Sequence, residues 1–451
     1  MIDLALTNCR PMLADGTSFS GSLLVDGGKI AGLLAGGVSA GQARETLDLG
    51  GLPVLPGIID THFHVGFHSA ESDFRTETRS AARGGVTTIC RFFRNLYPYD
   101  ESLPAEIALG ERTSYVDFAF HVGILIDDHL AKLDRFVREY GVRSFKMYTC
   151  YKGDEGLGLG IRGQMDGFIL DVLKALGRIG DVVQIVHCEN EEIIHRVGPK
   201  VQSAAAGLTD LEVWNRARPP VAEVETIHRI AFFAEQAGAE LFVPHISSAE
   251  ALDAIRERKA RGQKIYAETC PHYLALDTEA PAGILAKVNP PVRPRGNAAS
   301  LWKALRDGTL DVVGTDHATT MRAQKVAGDP WKSKPGFPGV ATLLPVLLSS
   351  GVHQQNLQLG DIARLQANAA RIFRLPGKGR IEPGADADLT VVDLDRGKVV
   401  RAQDLQSASD FSIFEGLTLT GWPVMTFLRG RMISRDGEVL GQPGDGKYIT
   451  R

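Results

Sequence analysis

Between residues 51 and 316, short apolar runs alternate with amphipathic stretches. The runs are GLPVLPGIID, GVTTICRFF, YVDFAFHVGIL, VRSFKMY, DVVQIVH, AELFVPH, QKIYAET and LDVVGTD. Short runs of this kind, rich in Val, Ile and Phe, predict strands buried on both faces. Several are separated by segments such as DDHLAKLDRFVREYG and SSAEALDAIRERKARG, whose apolar residues recur at helical spacing. Such β-α units within one large domain predict a (β/α)8 TIM barrel. The two ends differ. LALTNCRPML, SGSLLVDGGKIAGLLAG and TLDLGG near the start, and RIEPGADADLTVVDLD and MTFLRGRMISRDGEVLG near the finish, read as short strands and glycine turns. Neither end has enough apolar residues for its own core. Residues 1–53 and 376–451 are therefore expected to combine into one small β-sandwich domain, with residues 54–375 forming the barrel.

Composition narrows the functional classes. The chain has 451 residues, 44% of them hydrophobic and 23% charged, which suits one large globular domain with a smaller companion. A formal net charge of -4 argues against nucleic acid or an anionic membrane as partner, since no basic excess supplies phosphate contacts. No uncharged apolar run approaches a membrane span. MIDLALTNCRPML lacks the basic region and long apolar core of a signal peptide. Cys9, Cys90, Cys150, Cys188 and Cys270 form no CxxC pair and are odd in number, which fits a reducing cytoplasm.

The unusual polar residues fall at the ends of the apolar runs. In LPGIIDTHFHVGFH, His62 and His64 alternate, so on a strand both imidazoles project from one face. The fourth run carries Lys146, the fifth ends in His187, the sixth in His245 and the eighth in Asp316. The C-terminal strand ends of such a barrel form its active-site face. Taken singly, each has a structural explanation. A strand-end histidine can be hydrogen-bonded in place, and Asp316 could cap the following helix. Lys146 is harder to place, because a buried unpaired ammonium is costly. Four histidines, a lysine and an aspartate on one rim make sense together as a two-metal hydrolytic site. Neutral imidazoles and carboxylates suit Zn2+ or similar divalent ions. A lysine that has captured CO2 becomes a carbamate, able to bridge two of them.

The chain resembles the cyclic amidohydrolases of the amidohydrolase superfamily, which include hydantoinases, dihydropyrimidinases, allantoinases and dihydroorotases. The resemblance runs along nearly the whole chain, through PGIIDTHFH, ARGGVTTI, FKMYTCYKG, VHCEN, HISS, ETCPHYL, NPPVR, GTDH, RIEPGADADLTVVD and GWPVMTFLRG. It implies that His62, His64 and Asp316 bind one metal, that His187 and His245 bind a second, and that carboxylated Lys146 bridges them. Asp316 would also be the general base, passing a proton from a bridging hydroxide to the leaving nitrogen. Tyr151 resembles the hydantoinase tyrosine that donates to the developing oxyanion. Asn289 and the PGFPG stretch, including Pro335 and Gly336, match substrate-ring contacts. His68 and His272 read as surface or supporting residues, and Cys150 and Cys188 as packing.

The substrate branch follows from departures. Dihydroorotases carry an arginine after HxH, where this chain has Val65 and Gly66; Arg94 replaces an expected asparagine, and Thr320 a histidine. Tyr151 favours the hydantoinase–dihydropyrimidinase branch, although Pro335 stands where those enzymes usually carry asparagine. HISS and GWPVMTFLRG would also suit an allantoinase. Hydrolysis of a cyclic amide or ureide, hydantoinase-like, is the expectation, with an allantoinase- or dihydroorotase-like enzyme as alternative and a non-catalytic assembly protein of this fold as a third reading. The resemblance also implies a homotetramer or dimer. Arg91 and Arg94 lie just past the second strand; at least one is expected at the rim, against the alternative of salt bridges to Glu71 or Asp73.

Overall fold

A computed structural model describes residues 2–37, 41–67, 69–153, 156–157 and 159–451. Eight parallel strands follow one another around a barrel: β1 (Ile58–His64), β2 (Val86–Phe93), β3 (Asp117–Gly123), β4 (Ser144–Tyr148), β5 (Val183–His187), β6 (Glu240–Val243), β7 (Ile265–Thr269) and β8 (Val312–Val313). Seven lie within their apolar runs, and β1 starts in the first run and continues to His64. Every residue of β2 and β3 is buried, as expected for strands covered on both faces. Helices return between the strands, several opened by a side-chain cap. Ser69 caps Ala70–Arg83, Asn190 caps Glu191–Ser203 and Ser248 caps Ala249–Ala260. The stretch expected as one helix after β3 is two, Asp127–Ala131 and Leu133–Tyr140, joined at Lys132.

The first and last strands form no continuous ladder. Their seam is closed by a single parallel bridge between Phe63 and His317, with the His64 N–H donating to the His317 carbonyl at 2.9 Å. Asp60 completes it. Its carboxylate accepts the Thr315 N–H at 2.9 Å, the Thr315 hydroxyl at 2.5 Å and the His62 N–H at 3.1 Å.

The two ends of the chain form a separate nine-stranded sheet. Ile2–Pro11 pairs with Gly21–Asp26, Ala43–Asp48 and Pro53–Pro56, and Leu389–Val399 runs antiparallel to Pro53–Pro56, with Val54 opposite Val391. One apolar cluster joins Leu4, Leu6, Leu23 and Val54 to Leu389 and Phe427. The first apolar run therefore serves both bodies, Pro53–Pro56 in the terminal sheet and Ile58 onward in the barrel. The break is at Gly57, where a Cβ would lie 2.2 Å from Thr87 Oγ1. Lys378 ties the bodies together: its buried ammonium meets Asp117 of β3 at 2.5 Å, Asp388 at 2.6 Å and Asp386 at 2.9 Å. No helix among the described residues is long and apolar enough to cross a membrane.

Candidate metal centre

The carboxyl ends of the strands open into one cavity lined by His62, His64, Lys146, His187, His245 and Asp316, together with Tyr151, Asn289, Arg94, Pro335 and Gly336. The strand period puts both β1 histidines on one face. Their Nε2 atoms lie 3.2 Å (His62) and 3.1 Å (His64) from Asp316 Oδ1, and ligand atoms of all three lie within 4.8 Å of one another. The His187 and His245 rings meet edge-on with centroids 4.5 Å apart, and the His245 ring lies 5.1 Å from that of His62. Asp316, His245 and Tyr151 have left-handed backbones, with φ of 51°, 46° and 68°. Such conformations cost roughly 1–3 kcal/mol each and persist where the surroundings dictate them.

Carboxylates behind the histidines set their orientation. Glu268 Oε1 accepts from His62 Nδ1 at 2.8 Å, while its other oxygen takes the Thr61 hydroxyl at 2.5 Å. Gly314 makes room for this pair: a Cβ there would sit 2.4 Å from Glu268 Oε2. Glu189 Oε2 accepts from His187 Nε2 at 2.8 Å and is gripped by Arg218 at 2.7 and 3.0 Å. Burial opposes ionisation of Glu189, but Arg218 and His187 outweigh it and hold the carboxyl at about 2. Carboxylate–histidine pairs of this kind fix the tautomer of a metal-binding imidazole. Residue types alone do not announce Glu268 and Glu189 as supports. The available signal was position: an acid one residue before the end of the apolar run QKIYAET, and an acid two residues past His187.

The donor set fits a cation. His62 faces a carboxylate from each ring nitrogen, so the arrangement calls for added positive charge, a proton or a metal ion. Burial pushes the His62 imidazole down, and Asp316 and Glu268 together overcome it. Burial likewise opposes ionisation of Asp316, yet His62 and His64 keep its carboxyl well below the usual range. Lys146 is buried in the same cavity, its Nζ 4.9 Å from the Phe92 ring centroid and 5.1 Å from that of Tyr148. Burial lowers it to about 8 against the pull of Asp316 and Glu268, so part of the population is neutral amine at neutral pH.

Tyr151 lies past β4, its hydroxyl accepting from Asn289 Nδ2 at 3.0 Å. Asn289 Oδ1 accepts in turn from Trp214 Nε1 at 3.0 Å. Thr320 is buried and donates to the Gly336 carbonyl at 2.9 Å, supporting the cavity wall. The two arginines expected past the second strand part company, Arg91 lying within β2 and Arg94 just beyond it. Arg94 reaches the cavity, where Nη1 donates to His64 Nδ1 at 2.9 Å. Arg91 turns away, pairing at 2.6 Å with Glu106, not with Glu71 or Asp73, and lying 5.0 Å from the Phe74 ring. His272 is buried against Tyr273 and Phe337, outside the cavity lining, and His68 lies outside the described residues. Burial raises the Cys188 thiol far above its ordinary value, consistent with packing.

Residues 223–433 match the Amidohydrolase family. The chain is 32% identical to an L-hydantoinase of Paenarthrobacter aurescens, over 100% of this chain and 98% of that protein. It is also 32% identical to an allantoinase of Salmonella newport, over 95% of this chain and 94% of the relative. Among solved structures, L-hydantoinase (dihydropyrimidinase) from Arthrobacter aurescens superposes with a TM-score of 0.93 at 31% identity, covering 100% of both chains.

Proposed function

The chain belongs to the amidohydrolase family, among its cyclic amidohydrolases, and from that premise we propose that it opens a cyclic amide or ureide at a ring C–N bond, as a hydantoinase does. The observation carrying this reading is the meeting of His62, His64, Lys146, His187, His245 and Asp316 in one cavity. His62, His64 and Asp316 would hold one divalent ion and His187 and His245 a second, zinc by the donor types, with Lys146 as a carbamate contributing a further ligand. Lys146 suits this role because only a neutral amine captures CO2, and burial favours that form. When bound, such ions lower the pKa of water and polarise the amide carbonyl.

The chain's own groups then perform the proton work. Asp316, held ionised, is the base: it takes a proton from the attacking water as the oxygen joins the carbonyl carbon. The same carboxyl gives that proton to the ring nitrogen as the C–N bond breaks, leaving an acid and a ureide or amide. Asn289 donates to the Tyr151 oxygen, and the phenol's own hydrogen is the donor offered to the carbonyl oxygen. Pro335, Gly336 and Asn289 wall the ring opposite.

The test is metal analysis of the purified protein followed by a hydrolysis screen over hydantoin, dihydrouracil, allantoin, dihydroorotate and simple cyclic imides. Near two divalent ions per chain and turnover of hydantoin or dihydrouracil is the expected result. Turnover confined to allantoin or dihydroorotate would move the chain to that branch. Failure to retain metal, with no ring opened, would overturn the reading.

A further inference from the structure

We propose that the ring this enzyme opens carries an anionic substituent, a carboxylate on the ring or on a short arm, received by Arg94 and Lys334 on either side of Phe67. This names a substrate class for the site and rests on the cyclic-amide reading above. Arg94 lines both the metal cavity and an adjoining vestibule formed by Phe67, Phe92, Leu159 and Lys334, among others. Its guanidinium lies 5.6 Å from the Phe67 ring centroid, and Lys334 Nζ lies 5.0 Å from the same ring. Among the described residues neither cation has a carboxylate within ion-pair distance. The contrast with Arg91 is informative: three residues earlier, the chain has matched a buried guanidinium with Glu106 and aromatic rings.

The hydrogen bond from Arg94 to His64 couples the guanidinium to the candidate metal centre. Because Arg94 Nη1 donates to Nδ1, the neutral His64 ring carries its hydrogen on Nε2 and donates to Asp316. A cation held by Nε2 needs that lone pair, which places the ring's hydrogen on Nδ1. That hydrogen would face the Arg94 N–H, so the guanidinium would turn to other acceptors, with the Tyr148 hydroxyl beside it. The planar fork of a guanidinium matches a carboxylate through two parallel hydrogen bonds, which neither an imidazole nitrogen nor a phenol offers. Arg94 therefore stands as a cation at the mouth of the cavity, beside the ring-binding walls, with Lys334 as its neighbour across Phe67. Burial and the nearby Arg94 lower Lys334 from its ordinary value against the pull of Asp73, and an anion arriving there would favour its ammonium form.

Two paired measurements test this on the metal-loaded protein. Hydantoin-5-acetate is compared with its neutral amide as substrate. Separately, 3-oxocyclopentanecarboxylate, which has no C–N bond to open, is compared with its carboxamide by calorimetry. The wild type is expected to prefer each acid on the order of tenfold to a hundredfold, the range for hydrogen bonds to charged groups. Arg94→Met should remove most of this preference, raising KM for the acid at least tenfold more than for the amide. Arg94→Lys should recover part of it, and Lys334→Met should weaken it independently if Arg94→Met fails to fold. Equal treatment of acid and amide by the wild type, or equal losses in the variants, would overturn the proposal while leaving ring hydrolysis standing. If neither hydantoin is opened, the hydantoinase branch fails, and the calorimetric pair still decides whether the cavity selects a carboxylate.

Discussion

Glu268 touches no cavity space, yet it governs how well His62 can bind a cation. Its carboxylate takes the Nδ1 hydrogen at 2.8 Å and so directs the Nε2 lone pair inward, toward Asp316. Glu268→Gln preserves the shape and removes the charge. Metal affinity, read by competition with a chelator, should fall about 10–100-fold with the fold intact by circular dichroism. Unchanged affinity would mean that packing alone orients His62. The candidate ligands were legible because His and Lys at the ends of apolar runs are chemically conspicuous. Glu268 and Glu189 were less so, since a buried acid acquires its meaning from the imidazole or guanidinium facing it. Arg91 and Arg94 show the same limit: two cations of one type, three residues apart, separated in role by which side of β2 each leaves.

At the scale of elements, the eight strands were readable from the apolar runs, but the way the barrel closes was not. The last run, LDVVGTD, makes only a short ladder with its neighbour, with Val312 and Val313 in register and the Asp311 and Gly314 N–H groups donating across it. Beyond it Gly314 yields space to Glu268 and His62, and the chain crosses to β1 through Asp60. That seam carries chemistry, for it sets His62 and His64 on one bank against Asp316 on the other. Asp60→Ala leaves the N–H groups of Thr315 and His62 without their acceptor. Loss of about 2–6 kcal/mol in chemical denaturation is expected, at roughly 1–3 kcal/mol per orphaned group, together with weaker metal retention. A variant as stable as wild type would assign closure to the Phe63–His317 bridge instead. The break in the first apolar run was hidden for a related reason: the close approach of Gly57 to Thr87 depends on a strand far along the chain.

The whole molecule is organised by its two ends meeting. Pairing of the glycine-rich termini was foreseeable from their shortage of apolar residues. The partner of each strand was not, because register is decided by contacts between distant segments. Lys378, buried among Asp117, Asp386 and Asp388, fastens that sheet to β3. Val54 finds its place opposite Val391, and this has a consequence in time. At about 5–20 residues per second, a ribosome needs roughly 20–70 s to travel from one to the other. Throughout that interval Ile2–Pro11 and Pro53–Pro56 have emerged without the strand that completes their sheet, and unpaired edges invite association between chains. Ribosome-bound chains arrested after residue 375 should therefore be captured by holdase chaperones and aggregate on release, whereas chains that have passed residue 439 should not. Equal solubility of the two would show that the early strands are sheltered by the barrel before their partner arrives.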